Sequence, residues 1–520
     1  MSDFPFLVAM IAVPAVGAAV VAALPKGREL LARQLALGIS LVVLVLAVLA
    51  AVAFDVGGER FQLTTSVAWI PDFGVDFALG VDGIALVMLL LIGLLVPLVI
   101  GASWDDGAPG ADGVPAAATE GRSMRFFFAW LLLLEACMVG VFAATDVFLF
   151  YVFFEATLIP VYFMVAGYGG PRRVQAAVKF LLYSLLGGLV MLASVIGLYV
   201  VSADSEGGPT YLISELAQLD IGTTAGRWMF VGFFIAFAIK APMFPVHTWL
   251  PDTTEQATPG TSVLLVSVLD KIGTFGMIRF CLEIFPEASR WATPVVVVLA
   301  VVSILYGALM AIGSQNISRL IAYTSVSHFG FIVLGIFVMN SQGLSGANLY
   351  MFNHGLSTAA LFLVTGYLIS SRGSARIEDF GGVEKVAPVL AGLMLVAGLS
   401  SLALPGLSPF VSELLVMVGA FVYSPWVAGF AVLGIVLAAI YVLWLYQRTM
   451  TGPVHAGVAG MRDLSLREIG ALAPLVALIV ALGFYPQPLL DVINPAVDHT
   501  LSQVEKSDPQ PTVTEGKASE

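Results

Sequence analysis

The sequence has few charged residues and only two cysteines. Asp, Glu, Lys and Arg make up 11% of its 520 residues, whereas 59% are hydrophobic. Soluble domains usually carry about 25% charged residues, so this composition excludes a water-soluble fold. Cys137 and Cys281 stand in apolar segments without the spacing of metal ligands. We therefore interpret both as packing residues.

The sequence also lacks the motifs of redox and nucleotide chemistry. It contains no glycine fingerprint of a dinucleotide-binding fold, no phosphate-binding loop and no cysteine cluster for an iron–sulfur centre. The net charge of −12 comes mostly from surface loops and the C-terminal residues, and no basic footprint for nucleic acid is present. This chain is therefore predicted to hold no cofactor of its own and to bind no nucleic acid.

Long apolar blocks follow one another along almost the whole sequence. Each is roughly 20 residues long, which is enough to cross a hydrocarbon core of about 30 Å as a helix. They predict an all-α polytopic membrane protein embedded in the lipid bilayer. About fourteen transmembrane helices are expected, at 4–24, 34–54, 77–103, 125–144, 147–168, 176–201, 228–250, 258–282, 292–313, 318–340, 345–370, 388–422, 426–447 and 467–485.

The distribution of basic residues agrees with this count. No positive segment precedes the first block, so we predict a retained span with the N-terminus outside rather than a cleaved signal peptide. The alternate loops then assigned to the cytoplasm hold 15 of the 23 Lys and Arg residues. This bias satisfies the positive-inside rule and also places the C-terminus outside. Three basic residues, Lys240, Lys271 and Arg279, remain within the spans.

Several ionisable side chains fall inside predicted spans, where a charge costs at least ~2.5 to 3.5 kcal/mol. Any one of them could equally be a structural ion pair or a satisfied polar residue between helices. As a set they favour ion transport, most directly of protons, because packing alone would be served by apolar residues at less desolvation cost. The set consists of Glu155, Lys240, Lys271, His328, His354 and Glu413.

Four further ionisable residues are ambiguous. Glu135 is either a second acid in the path or a helix–helix hydrogen-bonding residue, and His247 serves either a structural role near a membrane surface or proton uptake. Asp270 precedes Lys271 and so points to another helix face, which makes it a poor direct partner. Arg279 follows Lys271 by about 12 Å of helix and is predicted to snorkel to the outer face.

Proline pairs interrupt two spans, Pro242 with Pro245 and Pro405 with Pro409. Prolines break helices, and a broken helix in lipid must line a wet interior because its freed carbonyls need partners. We expect Lys240 at the C-terminal end of one half-helix and Glu413 early in another, where the helix dipoles favour these charges.

The two breaks recur at corresponding positions and predict two inverted five-helix repeats, a common transporter design. Two unrelated kinks would produce the same spacing. The predicted regions are an N-terminal three-span region with a cytoplasmic loop, 1–124; the first repeat, 125–283; the second repeat, 292–448; the last span, 449–501; and a polar flexible tail, 502–520. The loop at 105–121 is expected to be flexible as well.

Several motifs are recognisable: KAPMFPVHTWLPDTTEQATPGTSVLL, RLIAYTSVSHFGF, MFNHGLSTAALF and LPGLSPFVSE. Together they resemble the antiporter-like membrane subunits of respiratory complex I, the NADH-quinone oxidoreductase, and the related Mrp-type cation/proton antiporters. The acid at Glu413 resembles subunit M of the bacterial enzyme, because the sister subunits L and N and the Mrp subunits typically carry lysine there.

The resemblance implies a role for each residue of the set. Glu155 and Lys240 would form a modulating pair, Lys271 with His328 would relay protons across the membrane centre, His354 would continue the path, and Glu413 would end it. A carboxylate at ~4 Å changes the energy of a charged lysine by about 4 kcal/mol at an effective dielectric of ~20, enough to switch it near neutral pH. Hydroxyls such as Thr324, Ser325 and Ser327 could bridge gaps.

The resemblance further implies a non-redox subunit of a proton-translocating complex in the plasma membrane. FMN, iron–sulfur clusters and quinone would lie in partner subunits, and L-like and N-like antiporter subunits would be neighbours. A subunit of an Mrp-type antiporter is the closest alternative, and a non-conducting scaffold is the alternative from another class.

Overall fold

The computed structural model describes residues 4–105, 123–205 and 207–508, which are mostly α-helical. Nearly all of the loop predicted at 105–121 lies outside the described residues, as does the chain beyond 508. The first described elements are α1 (Phe6–Ala23) and α2 (Glu29–Ala53), followed by the hairpin of β1 (Gln62–Ile70) and β2 (Val75–Val81), and then α3 (Gly83–Ala102).

The β-hairpin was not predicted, because β2 was assigned to the start of the span at 77–103. The two strands pair antiparallel, with Ser66 opposite Ala78. Apart from Asp76, the residues of β2 are apolar and most are buried, so hydropathy alone does not separate them from the first turn of a membrane helix. The helix begins only after Asp82, whose side chain accepts a hydrogen bond from the backbone N–H of Ala85 and caps α3.

The next elements form the region predicted as the first repeat. They are α4 (Met124–Ala143), α5 (Val147–Ala156), α6 (Leu158–Tyr168), α7 (Arg173–Ala203), α8 (Ile213–Leu216), α9 (Thr223–Lys240) and α10 (Trp249–Gln256). A last helical segment alternates α and π turns: α11 (Pro259–Leu264), a π-helix (Leu265–Leu269), α12 (Asp270–Gly276) and a second π-helix (Met277–Leu282).

The region predicted as the second repeat contains α13 (Pro286–Gly313), α14 (Ile317–Phe337), α15 (Ser341–Arg372), α16 (Pro388–Ser401), α17 (Ser408–Tyr423) and α18 (Pro425–Met450). It is followed by α19 (Leu466–Phe484) and α20 (Gln487–Gln503).

Sequence reasoning missed α20. A polar tail was predicted from residue 502, but the chain is held further: Glu505 pairs with Arg290 at 2.8 Å and Asp508 accepts a hydrogen bond from the Ser341 backbone at 2.9 Å. The flexible tail at 502–520 remains a prediction.

Among the described residues, twelve helices are long and apolar enough to cross a membrane, or up to thirteen if a bent pair counts as one span. They correspond to twelve of the predicted spans. The other two are the spans predicted to be broken, which the structure builds from shorter helices: α9 with α10, and α16 with α17. The breaks at 241–248 and 402–407 contain Pro242, Pro245 and Pro405. The total of fourteen spans and the inverted repeat remain predictions.

Burial identifies the centre of the molecule. The segment from Pro259 to Leu282 and α14 each contain 18 consecutive residues that are all buried. In a stretch of the same length in α18, only 33% of the residues are buried. An apolar helix that is buried on all sides belongs to the interior of a bundle. The segment carrying Lys271 therefore lies among other helices, away from the apolar outer surface, whereas the second break reaches that surface at Leu404, which is 40% exposed.

Candidate functional site

Lys240 is the last residue of α9, as predicted, and only 1% of it is exposed. Its Nζ lies 3.4 Å from the Thr157 hydroxyl and over the rings of Phe154 and Phe180, at 5.1 and 5.7 Å from their centroids. The negative end of the helix dipole and the two aromatic faces stabilise the ammonium group without an anion in direct contact.

Glu155 and Lys240, the predicted modulating pair, are near each other but not in contact. Among the described residues the two side chains do not form a direct ion pair, although their charges interact. The half-buried carboxyl of Glu155 lies against Gly188 of α7, where an added Cβ would stand 1.6 Å from Oε1. Only glycine at position 188 leaves room for this placement of Glu155.

Lys271 is fully buried in α12, directly after the first π-helix. Its Nζ donates to the Val266 carbonyl at 2.6 Å and lies 2.8 Å from His354 Nδ1. An ammonium group can only donate, so Nδ1 of His354 is the acceptor and Nε2, 3.1 Å from the Thr358 hydroxyl, carries the imidazole proton. The π turn, a feature frequent at functional sites, places the Val266 carbonyl within reach of the lysine.

The order of the two histidines differs from the prediction. His354, not His328, is the direct neighbour of Lys271. The His328 ring lies 5.2 Å from the His354 ring, and its Nε2 is 3.5 Å from the Tyr441 hydroxyl. Sequence spacing could not establish this order because the histidines belong to α14 and α15, whose relative register is a tertiary property.

Glu413 lies early in α17, as predicted, and is 6% exposed. Its Oε2 accepts a hydrogen bond from the Tyr350 hydroxyl at 2.7 Å, and the Tyr350 ring lies 6.0 Å from the His328 ring. Tyr350 and Tyr441 were not identified from the sequence. Tyr350 precedes His354 by four residues on α15, and this spacing on one helix face is a signal that could have found it.

The hydroxyls proposed as bridges in the sequence are occupied by backbone carbonyls. Thr324 and Ser325 donate to the carbonyl of Ile321, and Ser327 donates to that of Ile304. Bonds within one helix, as those of Thr324 and Ser325, are common for Ser and Thr, whereas the bond of Ser327 joins α14 to α13. The hydrogens of these hydroxyls are therefore already donated to carbonyls, and only the oxygen lone pairs remain to accept a hydrogen bond along a proton path.

All four of the ambiguous residues are buried, and Glu135 and His247 also lack hydrogen-bond partners among the described residues. Glu135 has no exposed surface, and neither carboxyl oxygen has a hydrogen-bond partner among the described residues. His247 is buried in the first break against the rings of Tyr306 and Phe244, at 5.0 and 6.0 Å, and its expected position near a membrane surface remains a prediction. Neither of its ring nitrogens has a partner in the part of the chain that the structure describes.

Arg279 does not snorkel to the outer face, so that prediction is wrong. It is 2% exposed and forms ion pairs with Asp82 at 2.7 Å and Glu283 at 3.6 Å. Glu283 also pairs with Arg60 and accepts a hydrogen bond from Thr500 at 2.9 Å. This buried network joins the hairpin, α3, the second π-helix and α20. Arg279 and Glu283 stand four residues apart, but the other pairs of the network lie more than 190 residues apart in sequence, which no local pattern reveals.

A second charged cluster lies around α10. Asp252 accepts from Lys179 and Arg319, each at 2.6 Å, and Glu255 pairs with Arg319 at 3.1 Å and with Arg172 at 2.7 Å. Burial by itself would raise the pKa of Asp252, but the hydrogen bonds from Lys179 and Arg319 outweigh it and hold the pKa below its usual range. The carboxylate is therefore ionised at neutral pH and ties α7, α10 and α14 together.

Comparison with known proteins places this architecture in one family. Residues 144–438 match the family described as NADH:quinone oxidoreductase/Mrp antiporter, transmembrane. NADH-quinone oxidoreductase subunit M of Mycobacterium tuberculosis is 47% identical, with 99% of this chain and 97% of that protein covered. Subunit M of Rhodobacter capsulatus is 36% identical, with 94% of each chain covered.

Solved structures agree in fold. A chain of respiratory complex I from Thermus thermophilus with bound NADH superposes with a TM-score of 0.85 and 32% identity, covering 96% of this chain and 99% of that chain. A chain of the Mrp complex from Dietzia matches with a TM-score of 0.84 and 24% identity over 97% and 100% of the two chains. The extent of these matches shows that the chain belongs to the NADH:quinone oxidoreductase/Mrp antiporter family of membrane proteins.

Proposed function

We propose that this chain is the proton-translocating subunit M of a bacterial NADH-quinone oxidoreductase. The observation that carries the proposal is the buried line of titratable groups from Lys240 and Lys271 through His354 and His328 to Glu413. Support for complex I over an Mrp antiporter comes from the names of the most similar relatives and from glutamate rather than lysine at position 413.

The chain's own residues perform a proton transfer in three parts. Separation of Glu155 from Lys240 destabilises the lysine's charge, and a proton leaves for Lys271. The direct hydrogen bond at 2.8 Å passes it from the Lys271 ammonium to His354 Nδ1. His354 then releases a proton to His328, whose ring lies 5.2 Å away, and its own nitrogen regains a lone pair. His328 passes the proton to Glu413, and the Tyr441 and Tyr350 hydroxyls lie 3.5 Å from His328 and 2.7 Å from Glu413.

The chain is a non-redox subunit in this proposal. NADH oxidation and quinone reduction take place in partner subunits, which hold the flavin, iron–sulfur clusters and quinone, and L-like and N-like subunits are its neighbours in the plasma membrane. Both termini face outside. Isolation of the complex under mild conditions tests this assignment: flavin and iron–sulfur absorbance in the purified assembly supports it, and their absence points to an Mrp-type antiporter.

Replacement of Lys240 by Met is expected to abolish proton pumping while the complex still assembles, because the first half of the line loses its only amine. The measurement is pumped protons per NADH oxidised in membrane vesicles, with flavin content as the measure of assembly. Normal pumping by Lys240→Met would instead support a scaffold whose charges only hold helices together.

Gly188→Ala is expected to lower pumping at least about tenfold, since misplacement of a catalytic group by 1 Å can cost about 100-fold. The new Cβ would occupy the position of Glu155 Oε1 and displace the carboxyl. The matched control is Gly392→Ala in α16, where an added Cβ meets nothing within 4 Å. Equal pumping by the two variants would show that the position of Glu155 has no influence on transport.

A further inference from the structure

Asp270 is a buried carboxyl group with no explanation in the packing. It begins α12 immediately before Lys271, and it has no exposed surface. Neither of its oxygens has a hydrogen-bond partner among the described residues. A buried ionisable group without partners costs several kcal/mol. A membrane protein that needed only packing would gain stability from an apolar residue here.

The backbone places the turn that carries Asp270 beside the end of the helix that carries Lys240. Helix α12 packs directly on the end of α9: an added Cβ at Gly273 would lie 2.5 Å from the Phe237 carbonyl oxygen and 2.6 Å from the Ala241 nitrogen. Ala241 follows Lys240 in the chain. Close approach of the backbones, which glycine permits, therefore brings the first turn of α12 next to the C-terminal end of α9.

The charge of Asp270 acts on both amines. Its carboxylate attracts the ammonium groups of both Lys240 and Lys271. Among the described residues, Asp270 does not form a direct ion pair with either lysine. One carboxylate can neutralise only one ammonium, so Asp270 favours a single excess proton shared by the two lysines.

The line of groups has a gap at this place. Lys240 contacts Thr157, and Lys271 contacts His354 and the Val266 carbonyl, so no other group of the proposed path connects the two amines. We propose that Asp270 is the proton relay between Lys240 and Lys271, a role that rests on the proposed function.

The transfer is balanced in two steps. An N–H bond of the Lys240 ammonium breaks and an O–H bond forms on Asp270, which leaves a neutral amine and a neutral carboxylic acid. The O–H bond then breaks as an N–H bond forms on the neutral amine of Lys271, which restores the carboxylate. One proton moves from the first lysine to the second, and no other reactant is consumed.

The test uses Asp270→Asn in the assembled complex, with Asp498→Asn on the exposed face of α20 as the control. Pumping per NADH should fall about 100-fold in Asp270→Asn, the scale of a lost acid–base group, with normal flavin content. Asp270→Glu should retain part of the activity. Normal pumping by Asp270→Asn while Lys271→Met is inactive would overturn the relay alone, whereas normal pumping by Lys271→Met would overturn the proposed function.

Infrared difference spectroscopy during turnover separates a relay from a fixed counter-charge. A relay protonates transiently, so a C=O stretch of a neutral carboxylic acid should appear in the unaltered complex, vanish in Asp270→Asn and shift in Asp270→Glu. A band pattern that is the same in the unaltered complex and in Asp270→Glu would overturn the relay, even if Asp270→Asn fails to assemble.

Discussion

Replacement of Lys271 by Met is expected to reduce proton pumping about 100-fold or more, on the scale of a lost general acid–base group. Lys271 is fully buried, and its ammonium contacts both the Val266 carbonyl and His354. Methionine fills a similar volume but can neither accept nor donate a proton. The measurement is the proton-to-NADH ratio in vesicles, normalised to flavin.

Lys271→Arg sharpens the same experiment. Arginine keeps the positive charge but does not deprotonate in proteins, so it can act as a counter-ion but not as a carrier. Both variants should therefore fail to pump. Lys385→Met is the matched control, because Lys385 is an exposed loop residue bonded to the Gly452 carbonyl. Pumping by Lys271→Arg at the unaltered rate would show that the site needs charge and not proton transfer.

Arg279→Met is expected to destabilise the protein by about 3 to 5 kcal/mol, the usual effect of removing one partner of a buried ion pair. Asp82 is 2% exposed and its ion-pair partner among the described residues is Arg279 at 2.7 Å. The variant leaves this carboxylate uncompensated at the N-terminus of α3. The measurement is the midpoint of thermal unfolding in detergent together with the yield of assembled complex.

A double variant distinguishes an unpaired charge from lost packing. Asp82→Asn combined with Arg279→Met removes both charges and should recover much of the stability, because the amide can still cap α3. Arg227→Met is the control: its pair with Glu287 at 2.7 Å is 37% and 46% exposed, and exposed pairs contribute little. If Arg279→Met unfolds no earlier than Arg227→Met, the buried network is not a stabilising element.

Several features of the site were predictable because they are local. Lys240 at the end of α9 and Glu413 early in α17 followed from the prolines nearby, since a helix cannot continue through them and its dipole then favours a charge of known sign. Glu135, His328 and His354 were recognisable as buried polar groups within apolar runs. Tyr350 was detectable by its spacing of one turn from His354, but tyrosine is common in membrane helices and the spacing alone is weak.

Other features depended on contacts between distant segments. The order Lys271, His354 and His328 is set by the register of three helices, and the pairing of Arg279 with Asp82 by the packing of a π-helix on the start of α3. The hairpin and α20 were not predicted, because amphipathic or apolar segments of such length are compatible with more than one secondary structure. Sequence patterns within one helix carry no information on these relations.

Hydropathy and the cost of burying charge in lipid were enough, from the sequence by itself, to determine a helical membrane protein with ionisable groups in its interior. Only the tertiary structure decided which of these groups touch one another. Periodicity specifies the face of a helix on which a residue lies, whereas hydrogen bonds such as that between Tyr350 and Glu413 depend on how two helices pack, and packing is a property of the whole bundle.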